Sequence, residues 1–310
     1  VVRCLALARA LEAEGAVCAV VVEPLGAEIL ARLGWMGEVM TAEGETNRLA
    51  AVHRLAPDAV VVDDYRLGAR FESALPGVVM AIDDLADRPH ACRLLLDSAY
   101  GAPGDTYVAL APGATLLLGP DYALLRDGFA APRRELPQRV QRVFVSFGLS
   151  DVEGITARAL ALLRPLAPEA RFDVAVGSGA PSIGPIRAKA DPGVVLHVDA
   201  DVAPLMRAAD LGVGAGGGMV WERRAAGLPQ LVVALADNQR PMTARLAAKG
   251  VIAAVDLADP GFEAALTSAF ARLLGPAVRL AQIDNPAARC DGLGARRAAR
   301  ALLAEARSSR

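Results

Sequence analysis

The chain has 310 residues, 54% of them apolar, and is nearly neutral, with 33 basic against 35 acidic side chains. Its mean hydropathy of +0.33 raises the membrane class first, but runs such as 16–22 and 211–220 are short and interrupted, and none offers the roughly 18 uncharged apolar residues of a spanning helix. The charge balance marks no nucleic-acid or membrane surface, and Cys4, Cys18, Cys92 and Cys290 lie far apart with no CxxC pair, which argues against a zinc or disulfide framework and for reduced thiols in a cytoplasmic protein.

In chain order, residues 3–14 read as an amphipathic helix from the first positions. A helix of this kind in an α/β domain follows a strand and a glycine-bearing loop, so the sequence reads as a piece whose first strand stands ahead of Val1. Strands are expected at 16–22, 58–62 and 78–82, and helices at 25–34, 45–56 and 67–75, with shorter strands and loops over 92–125. Strands apolar on both faces suit a parallel sheet covered by helices on both sides. Residues 128–141, with two prolines and several charges, read as a linker. The alternation then restarts, with strands at 143–147, 172–176, 194–198, 211–214, 230–234 and 251–255. Helices are expected at 152–164, 202–209, 218–226, 239–249, 261–274 and 288–306. The expected fold is α/β, with two Rossmann-like domains at 1–130 and 140–310, the closing helices in the second, and a ligand cleft between them at the strands' carboxyl ends.

Residues 212–229, GVGAGGGMVWERRAAGLP, run from a strand through a glycine cluster into a helix. Glycines let backbone approach a phosphate, and a helix N-terminus offers free N–H groups and the positive dipole end; a plain structural turn is the alternative. The run is not the GxGxxG dinucleotide pattern. Glu222, on the first turns of that helix, is placed either to accept hydrogen bonds from a ribose diol or simply as a solvated charge. In ADNQ at 236–239, Asn238 is a ligand contact or a helix N-cap. FVSFGLSD at 144–151 offers Ser146 and Gly148 as a second phosphate contact, with Ser150 or Asp151 as cap residues. The pairs Asp63–Asp64 and Asp83–Asp84 each follow a buried strand, for acid–base or metal chemistry or as turn caps. Tyr65 is a candidate hydrogen-bond donor to substrate. With only His53, His90 and His197 and no HExxH, a histidine-rich metal centre is not expected, and His90, beside Pro89, reads as structural.

Several collinear strings together resemble the UDP-2,4-diacetamido-2,4,6-trideoxy-beta-L-altropyranose hydrolases of bacterial pseudaminic acid biosynthesis. They are RCLALARAL (3–11), VVVDDYRLG (60–68), AIDDLADRPHACRLLLD (81–97), LGPDYALLRDGF (118–129), VSFGLSD (145–151), GAGGGMVWERRAAGLP (214–229), ADNQ (236–239) and CDGLGARR (290–297). The resemblance implies the GT-B architecture, similar to the glycosyltransferase of lipid II synthesis, and removal of UDP from a nucleotide sugar by water attacking the anomeric carbon with inversion. It assigns Glu222 to the ribose, Gly216, Gly217 and Gly218 to the turn near the diphosphate, and Tyr65 and Asn238 to the sugar's reacting end, facing each other across the cleft. It adds Arg3, Ser146, Gly148 and Gln239 as substrate-binding residues. The family's general base is a histidine directly ahead of its counterpart of VVRCL, so its place precedes Val1, and FGLSD stands where FGG-Ser/Ala-Asp is usual. No metal or other cofactor is implied, and a monomer with a UDP-sugar as its partner is expected. The alternatives are a GT-B glycosyltransferase using a UDP-sugar and a non-catalytic nucleotide-sugar binder.

Overall fold

A computed structural model describes residues 1–130, 135–189 and 191–309. They divide into two compact units, one of Val1–Asp127 with Gly292–Arg310, the other of Gly128–Asp291. The expected linker at 128–141 includes 131–134, which lie outside the described residues. Among the described residues no helix is long and apolar enough to cross a membrane.

The first unit opens with α1 (Val2–Ala13), β1 (Ala19–Val22), α2 (Pro24–Arg32), β2 (Glu38–Thr41), α3 (Gly44–Leu55) and β3 (Ala59–Val62). It continues with α4 (Ala69–Glu72), β4 (Val78–Ile82), β5 (Leu94–Asp97), α5 (Gly104–Leu110) and β6 (Thr115–Leu118). The helix expected over 67–75 shrinks to the single turn α4; at its far end Leu75, directly ahead of Pro76, is disfavoured in helical backbone. All pairings are parallel, but they form two sheets: β1 with β2, and β3-β4-β5-β6. β1 and β3 carry the same tetrapeptide, AVVV. Both are only partly buried, whereas every residue of β4 and β5 is buried. Helix α1 serves both sheets: Leu5 packs with Trp35 and Val20 above β1, while Leu7 and Leu11 pack with Met80 and Leu94.

The second unit holds β7 (Arg142–Ser146), α6 (Ile155–Leu163), β8 (Arg171–Val176), α7 (Ile183–Lys189), β9 (Val194–Val198) and α8 (Val202–Ala208). Then come β10 (Leu211–Ala215), α9 (Gly218–Ala225), β11 (Gln230–Ala234), α10 (Arg240–Ala248), β12 (Ala253–Asp256), α11 (Phe262–Leu273) and α12 (Pro276–Asp284). Its six parallel strands lie in the order β12-β11-β10-β7-β8-β9. That is the doubly wound order, reversing direction between β7 and β10. Strands β7, β8, β10 and β11 are buried along nearly their whole length, as a parallel sheet covered on both faces requires. Val143, Val145, Phe172, Val174, Leu211 and Val213 pack under α6 and α11.

The last helix corrects the expected domain boundary. The single helix expected at 288–306 is instead α13 (Gly294–Ser308), which belongs to the first unit. Its small-residue stripe, Ala295, Ala298, Ala299 and Leu302, joins Leu7 and Leu11 of α1 in one core. Alanine-rich faces allow close helix approach but identify no particular partner, so the pattern showed a helix and not its destination. A Cβ at Gly294 would collide with the backbone of Tyr122 and Ala123, which accounts for the glycine in GLGARR.

Candidate functional site

In an open parallel sheet, ligands bind beyond the carboxyl ends of the strands where the winding direction reverses. In the second unit that point lies between β7 and β10. Gly214 and Ser146 are register partners there, so the loops leaving the two strands start side by side. Close packing requires the glycine: a Cβ on Gly214 would stand far inside van der Waals contact with the Ser146 carbonyl oxygen. Ser146 is buried at the end of β7, and Gly148, at φ +103, has nothing within 4 Å of where a side chain would begin.

On the β10 side the Gly216 N–H donates to the Val233 carbonyl at 3.1 Å, which pins the turn to β11. Gly217 follows at φ +75, a conformation that favours glycine. Gly217 and Gly218 have open space where a Cβ would stand, and α9 starts without a side-chain cap. Helix geometry leaves its first N–H groups without intrahelical acceptors, with the positive end of the peptide dipoles behind them. An anion placed at this turn would meet those N–H groups. Glu222, half-buried, lies four residues after Gly218 and hence on the same face of α9, leaning towards its start.

The flanking residues divide by role. Gln239 turns its Oε1 inward to accept the Leu235 N–H at 3.0 Å and packs beside Gly216, so it braces the turn. Asn238 is exposed in a 3-10 turn, and the residue at the N-cap of α10 is Gln239, without a side-chain cap; the capping alternative for Asn238 is not what the chain uses. Asp151 is a structural cap: its buried carboxylate accepts the Thr156 N–H at 2.9 Å and the Ser182 N–H at 3.2 Å.

At the carboxyl ends of the first unit's strands the paired aspartates are engaged by arginines and hydroxyls. Arg3 donates to Asp63 through Nε at 3.0 Å and Nη2 at 2.5 Å, and to Asp84 through Nη1 at 3.2 Å. Tyr65, half-exposed, donates its hydroxyl to Asp84 at 3.1 Å. Burial, with Asp84 close by, pushes the Tyr65 hydroxyl up to about 12, so it stays a donor at neutral pH. Burial of Cys4 against Asp63 pushes its thiol up to about 12. Asp64 is tied to Arg48 and Arg66, chiefly by the Arg66 hydrogen bonds, and is held well below the usual carboxylate range.

Beneath this cluster lies a buried network that the sequence did not reveal. Tyr107 donates to Asp83 at 3.0 Å and lies 3.1 Å from Asp97. Arg88 reaches Asp83 at 2.8 Å, and His90 Nδ1 meets Glu72 at 2.8 Å. Burial works to lower the His90 pKa, but the facing Asp83 and Glu72 outweigh it and push it up to about 9. His90 is thus a buried member of the network that holds the 83–90 loop, in keeping with its structural reading. Sequence reading also passed over Arg223 and Gln230. A second arginine in WERR gives no signal, because helical arginines are usually solvated.

Against known proteins, no family model matches the chain, and no curated protein matches it. Solved structures do. MurG of Acinetobacter baumannii superposes with a TM-score of 0.68 at 15% identity, covering 97% of this chain and 95% of that one. The spinosyn rhamnosyltransferase SpnG gives 0.64 at 18% identity over 94% and 95%, and it has also been solved with thymidine diphosphate. A putative UDP-N-acetylglucosamine 2-epimerase from Listeria monocytogenes gives 0.63 at 13% identity over 99% and 94%. The chain has the GT-B fold. At such identities the likeness establishes architecture alone.

Proposed function

We propose that the chain is a nucleotide-sugar enzyme that binds UDP in its second unit and hydrolyses a UDP-linked 2,4-diacetamido-2,4,6-trideoxyhexose to free sugar and UDP, as in pseudaminic acid biosynthesis. The observation that carries the nucleotide part is the position of the open glycine turn at 216–218, uncapped and at the winding reversal. Structural relatives described as glycosyltransferases, as a UDP-sugar epimerase and as a thymidine diphosphate complex support a nucleoside diphosphate. The sugar and the hydrolysis rest on the collinear strings quoted from the sequence.

In the proposed step a water oxygen forms a bond to the anomeric carbon while the bond from that carbon to the UDP oxygen breaks. The electron pair leaves on the diphosphate, and the N–H groups at the start of α9 stabilise that charge. Glu222 accepts from the ribose hydroxyls. Arg3 and Tyr65, held by Asp63 and Asp84, and Asn238 are the groups proposed for the sugar. The water's proton passes to a general base, which the family resemblance identifies as a histidine.

The test is incubation of the chain, extended at its N-terminus by the strand and Gly-His loop that the resemblance places ahead of Val1, with UDP-2,4-diacetamido-2,4,6-trideoxy-beta-L-altropyranose in water, beside the 310-residue chain, which is expected to release UDP far more slowly because it lacks that histidine. The expected result is UDP and free sugar in equal amounts, the sugar first appearing as the inverted anomer by NMR. UDP release only when an acceptor alcohol is added makes the chain a transferase, and no release in either case rejects the enzymatic reading.

A further inference from the structure

Arg223 sits on α9 directly beneath the glycine turn and has no exposed surface. A buried guanidinium is ordinarily matched by a carboxylate, because an uncompensated buried charge is costly. Here, among the described residues, its hydrogen bonds go only to neutral acceptors. Nε donates to Gln230 Oε1 at 2.8 Å and Nη2 to the Ala215 carbonyl at 2.6 Å. Nη1 is buried with no partner and lies against Gly214, where a Cβ would approach it to 2.8 Å. Gln230 is fixed in turn: its Nε2 donates to the Val220 carbonyl at 3.2 Å, and its backbone N–H donates to Gln282 Oε1 at 2.8 Å. Glu222 acts on Arg223 only through space, and burial still drives the guanidinium down to about 10. The group therefore remains charged at neutral pH.

Two consequences follow for the turn. The bond to the Ala215 carbonyl orients the peptide that leads into Gly216, the first residue of the turn. The unmatched positive charge adds to the dipole end of α9 and is screened by protein instead of water. A carboxylate in place of Gln230 would satisfy the guanidinium fully and cancel that field. The amide satisfies one N–H and leaves the charge intact.

We propose that Arg223 is a positioning residue for an anion bound at the start of α9, a permanently buried counter-charge for the diphosphate of a nucleotide. The inference rests on the reading of this turn as a diphosphate site. It assigns the affinity for the diphosphate, but not for the nucleoside, to a side chain that never touches the ligand.

The experiment is calorimetric titration of the whole chain and two variants with UDP, uridine and inorganic pyrophosphate. Arg223→Met removes the charge while keeping much of the volume. Gln230→Glu keeps the arginine and supplies the missing carboxylate, so it serves even where the first variant fails to fold. Both are expected to weaken UDP and pyrophosphate by about tenfold, the scale of one unit charge at intermediate effective dielectric, and to leave uridine affinity unchanged. Unchanged UDP affinity in either folded variant overturns the proposal, as does equal weakening of UDP and uridine, which would mean general damage to the site. If the unaltered chain binds pyrophosphate but not UDP, and both variants lose pyrophosphate, the nucleotide reading falls and the role of Arg223 stands. Binding of neither ligand by the unaltered chain overturns both.

Discussion

Replacing Asp97 by Asn removes a buried charge from beneath the first unit's aspartate cluster, and the geometry allows it with little disturbance. Asp97 ends β5 with almost no exposed surface; its Oδ1 accepts the Ala99 N–H at 2.8 Å, and its Oδ2 lies 3.1 Å from the Tyr107 hydroxyl. An Asn oxygen can keep the first bond. Its NH2 can donate to the Tyr107 oxygen, freeing that hydroxyl to donate to Asp83. Burial, with Asp84 and Asp83 close by, pushes the Asp97 carboxyl up to about 6 from its ordinary 3.8. The folded state thus holds the proton more tightly than the unfolded chain. The stability contributed by Asp97 is complete below pH 3.8 and is lost as pH rises through 6. At about 1.4 kcal/mol per pH unit, the ionised carboxylate costs the folded unit about 3 kcal/mol at pH 8. His90, raised to about 9 by Asp83 and Glu72, loses its own contribution between pH 6.5 and 9, so the comparison must be made between proteins at each pH. Urea denaturation of both proteins at pH 4, 6 and 8 is the assay. Asp97→Asn should match the unaltered chain near pH 4 and exceed it by about 2–3 kcal/mol at pH 8. A variant less stable at pH 8, or a difference that does not change with pH, refutes the reasoning.

Other substitutions probe the second unit and the substrate groups. Gly214→Ala forces a methyl into the Ser146 carbonyl and should cost at least 1–3 kcal/mol by thermal denaturation, the range for overpacked cores. Gly217→Ala meets open space but must adopt φ +75 with ψ −148, a region essentially confined to glycine, so it should cost about 1–3 kcal/mol and weaken UDP binding in a titration. Glu222→Ala should weaken UDP by about 1–3 kcal/mol, the worth of charge-assisted hydrogen bonds to ribose; unchanged affinity removes it from the site. Tyr65→Phe should lower the rate of UDP release while leaving the UDP dissociation constant unchanged, since the residue is assigned to the sugar.

The second unit was legible because most of its strands are compact apolar runs that alternate with helical stretches. The bounds of β7, β9, β10 and β11 fall within one residue of those expected. The glycine run at 216–218 was readable as a turn because it stands between a strand and a helix, and Gly217 at φ +75 is the position there that favours glycine. The first unit was harder. Strand β2, EVMT, is short, exposed at both ends and opens on Glu38, so it resembles a loop. The destination of α13 depended on which alanine stripe meets which, and that information is not periodic. The partners of Asp63, Asp83 and Asp84 were hidden because arginine is so abundant here: only Lys189 and Lys249 among 33 basic residues are lysine, so any aspartate has many candidate cations. Arg223 was hidden by its helix position, where sequence suggests solvent and packing supplies burial.

The central claim is that a nucleoside diphosphate binds at the winding reversal of the second unit. Amide hydrogen exchange of the whole chain, with and without saturating UDP, measures this by segment. Slowed exchange is expected at 216–222 and at 146–149, the loops that leave β10 and β7, with β8 and β9 unchanged. Binding of UDP with no protection at 216–222, or with protection centred on another part of the chain, would contradict it.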